Sequence, residues 1–289
     1  MSDIAQELAS QPGCWKRAAG LAAEVHGILP GTGERVLAVG CGTSLHVAQA
    51  FAALREAEGE GETDAFPASE APARRGYDRA LVVSRSGTTT EVVRFLEGTT
   101  APSVAVCAVA GSPVAERATS TVLLPFADER SVVQTRFATT TLALLRAHLG
   151  HDLTTAIADA ERARAAALPD LRGVDHVVFL GSGWTVGLAN EAALKVREAS
   201  ASFSESYPAL EYRHGPISLA GPRSLVWAIG EVPGDLLDDV EATGAAVRAG
   251  ERDPLAELVL VQRAAVALAE AKGLDPDHPR HLTRSVVLS

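Results

Sequence analysis

Aromatic side chains are scarce in this 289-residue chain: Phe, Trp and Tyr make up 4% of it, while apolar residues make up 47%. Its cores must therefore be filled by aliphatic packing, as buried parallel strands and their covering helices usually are. Cysteine is scarce too. Cys14, Cys41 and Cys107 are an odd, widely spaced set with no CxxC pair, which argues against a disulfide framework or a zinc site. Positive charge is outweighed, with a formal net charge of −10 and no run of Lys and Arg. Non-specific nucleic-acid binding needs such a run, so no nucleic-acid partner is expected. A local phosphate site stays open, because backbone amides can supply one whatever the net charge. No apolar run reaches bilayer length and residues 1–20 lack a signal-peptide core, so a cytosolic protein without a membrane partner is expected. A Walker loop is missing as well, since no G-K-[ST] occurs. Gly40-x-Gly42 also lacks the third glycine of a dinucleotide fingerprint.

What is present is an alternation of short apolar runs, small-residue turns and helical spacing. Residues 1–30 read as an N-terminal helical segment, interrupted at Gln11-Pro12-Gly13 into a helix pair. The run Arg35-Val36-Leu37-Ala38-Val39 reads as a strand that meets Gly40-Cys41-Gly42-Thr43-Ser44 and then a helix over 45–58, with a polar loop at 59–63. A second strand at 80–83 runs into Ser84-Arg85-Ser86-Gly87-Thr88-Thr89 and another helix. Strands near 103–109 and 121–125 flank a short helix, and a helix over 132–148 closes the lobe. Such alternation predicts a parallel, doubly wound sheet. After a helical connector over 151–170 the pattern restarts. The strand at 175–180 is followed by Gly181-Ser182-Gly183-Trp184-Thr185, which parallels the turn at Gly40 and marks an internal duplication. Ser224–Ile229 is the repeat's second strand, and 235–248 its helix. Little sequence separates that helix from the closing one, so the second lobe is expected to be shorter by about two strands. The predicted fold is thus α/β: two lobes, 31–150 and 171–289, each a parallel three-layer αβα sandwich.

The hydroxyl-rich turn at 84–89 is the strongest chemical signal. A phosphate needs several donors converging from one side. The hydroxyls of Ser84, Ser86 and Thr89, with the amides that open the next helix, can supply them. Gly87 allows close backbone approach. Thr43 and Ser44 occupy the neighbouring strand–helix turn, the edge where open α/β sheets bind ligands. A single Ser or Thr in such a turn is ordinarily just a cap, but several hydroxyls on two adjacent turns favour a ligand.

The motifs V-G-C-G-T-S and S-x-S-G-x-T resemble the signature of the sugar isomerase (SIS) family of phosphosugar-binding domains. The segments 192–198 (A-A-L-K-V-R-E), 211–216 (E-Y-R-H-G-P) and 279–286 (P-R-H-L-T-R-S-V) resemble the isomerase half of glucosamine-6-phosphate synthases. The resemblance runs from about Ile4 to the end of the chain, broken near Gly250. It implies that Ser44, Ser84, Arg85, Ser86 and Thr89 contact phosphate and that Val132 contacts the sugar. It places Lys195 and Glu198 on the catalytic helix. Their i,i+3 spacing puts both on one face, with Glu198 the general base that moves a proton between C1 and C2 of an open-chain sugar. His214 matches the ring-opening histidine, which in this family reaches the neighbouring subunit's site and so implies a homodimer; imidazole gives and takes protons near neutral pH.

Two departures qualify that resemblance. No counterpart of the synthase's glutaminase domain precedes the motifs, so glutamine-driven amination is not expected. Arg284 stands where the family carries a Schiff-base lysine, and a guanidinium that stays protonated cannot be that nucleophile. Arg284 is left with orienting the sugar or neutralising an enolate oxygen. Arg85 replaces a neutral glutamine, and its fork is expected to grip phosphate in two places. The expected activity is isomerisation or deamination (or deglycation) of a sugar or amino-sugar 6-phosphate, with no metal or organic cofactor implied. The alternatives are a non-catalytic phosphosugar sensor and a degenerate relative kept for its interface.

Overall fold

The computed structural model describes residues 2–72 and 75–288. A long helix α1 (Asp3–Val25) precedes the first lobe. There β1 (Val36–Gly40), α2 (Thr43–Ala57), β2 (Thr63–Pro67), β3 (Arg79–Ser84), α3 (Thr90–Gly98), β4 (Ser103–Cys107), α4 (Pro113–Arg117), β5 (Ser120–Leu123) and α5 (Arg136–His148) follow in order. After α6 (Thr154–Ala163) the second lobe comprises β6 (His176–Gly181), α7 (Thr185–Ser200), β7 (Ser204–Pro208), β8 (Ser224–Ile229), α8 (Gly234–Ala242), β9 (Ala246–Ala249) and α9 (Pro254–Ala271). The strand order is β2-β1-β3-β4-β5 in one sheet and β7-β6-β8-β9 in the other, every pairing parallel. Helices cover both sheets, as the alternating pattern predicts.

The duplication is exact at its hinge points. A Cβ on Gly40 would lie 2.5 Å from the Ser44 carbonyl carbon, and one on Gly181 would lie 2.4 Å from the Thr185 carbonyl oxygen. In both lobes the helix folds back onto the strand end, and no side chain fits between them.

Four expectations need correction. The second sheet is one strand shorter than the first, not about two. Its missing length was overcounted because β9 lies where a longer helix was expected: α8 stops at Ala242, and a turn with Gly244 at φ +85° redirects the chain into β9. Strands β2 and β7 were not expected at all. Both are edge strands, T-D-A-F-P and S-E-S-Y-P, whose exposed faces leave no apolar run. Finally, α1 passes through Pro12 without a break. A proline inside a helix costs about 3 kcal/mol, but here the flanking turns are tied to other helices. Trp15 Nε1 donates to Thr139 Oγ1 at 3.0 Å, Thr139 Oγ1 donates to Gln11 Oε1 at 2.6 Å, and Gln11 Nε2 donates to Gln262 Oε1 at 2.8 Å.

One apolar core runs between the sheets, from Trp15 of α1 and Phe51 and Phe137 of the first lobe to Phe179, Trp227 and Leu255 of the second. At its centre α2 and α7 cross in direct backbone contact. A Cβ on Gly187 would lie 2.7 Å from both Ala50 N and His46 O. That approach lets short side chains on α2 reach long ones on α7.

Candidate active site

The carboxyl edge of the first sheet carries the turns singled out by sequence. Ser84 ends β3, and Ser86, Gly87 and Thr88 lead to Thr89, which occupies the N-cap position of α3 without a side-chain capping bond. Gly87 sits at φ +66°, and a Cβ there would lie 1.9 Å from Ser112 Oγ, so the turn tolerates no other residue without rebuilding. Ser84 and Ser86 are buried, as are Thr43 and Ser44 in the first turn of α2. Thr88 Oγ1 donates to Ser86 Oγ at 3.0 Å.

Across the lobe boundary, the ammonium of Lys195 is fully buried. Nζ donates to Thr43 Oγ1 at 2.8 Å, bonds Glu198 Oε2 and lies 3.3 Å from Glu191 Oε1. Burial alone would lower its pKa, but the two carboxylates outweigh that effect and hold it above the ordinary lysine value. Glu191 was not singled out by sequence. Its carboxylate also accepts from Thr43 Oγ1 at 3.2 Å and meets His46 Nδ1 at 3.1 Å. The available signal was its place one turn before Lys195. Glu198 differs from Glu191 in being accessible: its side chain is 21% exposed, against 2%. It lines a cavity of about 300 Å³ between Leu194 of α7, Ala201 just past its end, and Leu274, His278 and Leu282 of the C-terminal tail.

That tail was expected to contribute only Arg284. It is in fact pinned at both ends. The Asp277 carboxylate accepts from Asp3 N at 3.0 Å and Ile4 N at 2.7 Å, and its carbonyl accepts from Val132 N at 3.2 Å. Arg284 pairs with Asp128. Ser285 Oγ meets Thr88 Oγ1 at 2.8 Å, and Val286 O accepts from Thr90 N at 3.1 Å. The tail therefore crosses from the Glu198 cavity to the hydroxyl-rich turn.

Arg85 does not offer the free fork expected of it. Its side chain is buried, with Nη1 donating to Ser131 O at 3.0 Å and Nη2 to Arg284 O at 3.0 Å and Val132 O at 3.4 Å. Glu129 lies 3.7 Å away, its carboxylate capping α5 through the amides of Thr135, Arg136 and Phe137. His214 also stands apart. It is exposed beside the turn at 210–213, and among the described residues no hydrogen bond or ion pair joins its side chain to Glu198 or Lys195. The single chain thus brings together Thr43, Lys195, Glu198 and the tail, and leaves His214 outside.

No family model matches the chain. It is 30% identical to glutamine–fructose-6-phosphate aminotransferase (isomerizing) of Aeropyrum pernix, over 91% of this chain and 52% of the relative. The same enzyme of Sulfolobus acidocaldarius is 29% identical, over 88% of this chain and 50% of the relative. The chain thus spans about half the length of these curated relatives. Among solved structures, glucosamine-6-phosphate deaminase from Thermotoga maritima superposes with a TM-score of 0.82 at 27% identity, covering 99% of this chain and all of the other. Tagatose-6-phosphate ketose/aldose isomerase from Escherichia coli superposes with a TM-score of 0.79 over 97% of this chain and 98% of that one; at 19% identity it speaks for the fold alone.

Proposed function

We propose that this chain, which shares the motifs and the two-lobe fold of the sugar isomerase (SIS) proteins, is an enzyme of sugar-phosphate chemistry. Its reaction is a proton transfer between C1 and C2 of a sugar or amino-sugar 6-phosphate, ending in isomerisation or in loss of the amine. The carrying observation is the bridge made by Lys195, which ties Thr43 at the first sheet's edge to Glu198 at the cavity. A monoester dianion seated among Ser44, Ser84, Ser86 and Thr89 would be held by hydroxyls and by the amides opening α3. Its carbon chain would then extend under the tail, past Val132, toward Glu198. Lys195 is enclosed by two carboxylates and a hydroxyl, so it orients Glu198 instead of attacking substrate. Glu198 keeps an accessible edge, as a general base requires. The second lobe offers no twin of the phosphate turn, since Gly230-Glu231-Val232-Pro233-Gly234 puts a carboxylate where the first lobe has hydroxyls.

Ring opening falls to His214 of a second copy, in a cytoplasmic homodimer. Leu210 and Leu219, 56% and 61% exposed, flank His214 in the chain and give that face the apolar character a partner would cover. Glu198→Gln is expected to abolish solvent exchange of the C2 proton and to leave phosphosugar binding intact. Full exchange in that variant would remove Glu198 from its role. Mixing Glu198→Gln with His214→Ala protein is expected to restore activity in heterodimers, because one of the two sites then holds both wild-type groups.

A second reading, a phosphosugar sensor without turnover, draws support from Arg284. It replaces the family's tail lysine and is paired with Asp128, so no amine nucleophile is available there. A panel of hexose and hexosamine 6-phosphates separates the two: saturable binding with turnover of none supports the sensor.

A further inference from the structure

We infer that Arg85 is a positioning residue, which fixes the far end of the tail segment that walls the Glu198 cavity and does not itself grip phosphate. The inference rests on the proposed site but is argued from different contacts. Residues 277–284 cross the cavity mouth and are anchored at both ends. At the near end, the Asp277 carboxylate holds the first amides of α1 and its carbonyl takes the Val132 amide. At the far end, Arg85 Nη2 holds the Arg284 carbonyl at 3.0 Å. The anchor is stiff, because Arg85's own carbonyl accepts from Ala108 N at 3.0 Å, locking it to the end of β4.

The same guanidinium fastens the turn that carries Val132, through the carbonyls of Ser131 and Val132. One planar fork therefore sets the distance between the sheet edge, the Val132 turn and the tail. With 2% of the residue exposed, it is enclosed by the segments it joins and is not among the residues that line the Glu198 cavity. Glu129 at 3.7 Å offsets part of the cost of burying its charge, and two of its three nitrogens are already committed to carbonyls, Nε alone being left without a partner among the described residues. A guanidinium is suited to this task because its donors diverge in a fixed plane, which a lysine ammonium cannot imitate. Both tail ends being fixed, the segment between them is held against Glu198 at a set distance, the condition under which a general base works efficiently.

The test is amide hydrogen exchange on the full chain without ligand, comparing wild type with Arg85→Met and Arg85→Lys. Arg85→Met is expected to speed exchange in residues 282–288 at least tenfold while β4 and α5 change less than threefold. Arg85→Lys, which keeps a charge opposite Glu129, is expected to fall between the two; it alone is read if the methionine variant loses its folded circular dichroism. With hexose 6-phosphates, kcat is expected to drop at least tenfold with KM within threefold. Unchanged tail exchange in the variants would overturn the inference, as would a uniform acceleration across the fold. A tenfold rise in KM with kcat and tail exchange unaltered would make Arg85 a phosphate ligand instead. If wild type turns over none of the sugars, the proposed reaction fails, while the exchange comparison still decides the role of Arg85.

Discussion

At the scale of single residues, the molecule invests most in buried charge. Lys195 is enclosed by Glu191, Glu198 and Thr43, and removing one partner of a buried ion pair strands the others. Lys195→Met is therefore expected to cost about 3–5 kcal/mol in urea denaturation, more than an exposed helix pair would. A second buried group sets a pH dependence. His148 Nε2 donates to Pro30 O at 2.8 Å, so in the neutral ring Nδ1 is left to accept from His26 Nδ1, 3.1 Å away. Burial, with the neighbouring His26, lowers the His148 pKa below its ordinary 6.5, the Pro30 carbonyl offsetting only part of this. Because the unfolded chain takes up that proton first, the stability His148 confers is complete above pH 6.5. It is lost as pH falls toward and through the depressed value. Denaturation midpoints followed over this range are expected to fall for wild type and to stay flatter for His148→Gln.

Among the elements, α2 and α7 matter most, since their crossing delivers Thr43 to Lys195. Gly187 permits that crossing, and any Cβ there strikes backbone atoms of His46 and Ala50, which cannot swing away as a side chain would. Gly187→Ala is expected to destabilise by about 1–3 kcal/mol, the usual cost of overpacking, and to lower turnover beyond that by lengthening the Lys195–Thr43 contact. Thermal melting and activity below the melting range separate the two effects. The strands divide by position. Central strands β1, β3, β4, β6 and β8 announce themselves as apolar runs because both faces are covered. Of the edge strands, β5 still shows as the short apolar run V-L-L at 122–124, whereas β2, β7 and β9 are less covered and mix in polar residues, so their pattern disappears.

For the whole molecule, the two lobes share a continuous aliphatic core, and among the described residues no helix is long and apolar enough to cross a membrane. Burial elsewhere in the fold silences the thiols: it raises Cys14 and the partly buried Cys41 and pushes Cys107 up to about 12. Cys14 and Cys107 are expected to react with alkylating reagents at neutral pH only slowly, and together on global unfolding, because both are buried and the thiolate is the reactive form. Rapid labelling of Cys107 in the native protein would contradict the packing of β4.

The sequence by itself determined the alternation of strands and helices, the duplication, the hydroxyl-rich turn and the Lys195–Glu198 face, since each is a local pattern with a fixed period or spacing. Only the tertiary structure decided what Arg85, Glu191 and the tail do. Their partners lie far along the chain: Arg85 meets Arg284, Thr43 meets Glu191, and Asp277 meets Asp3. No local spacing encodes such meetings, because they are set by how two helices cross and where a terminal segment lies down. The guanidinium at position 85 illustrates the difference. Its place in the motif suggested an anion, whereas its burial among carbonyls, with Glu129 already at hand, assigns it to holding the chain together.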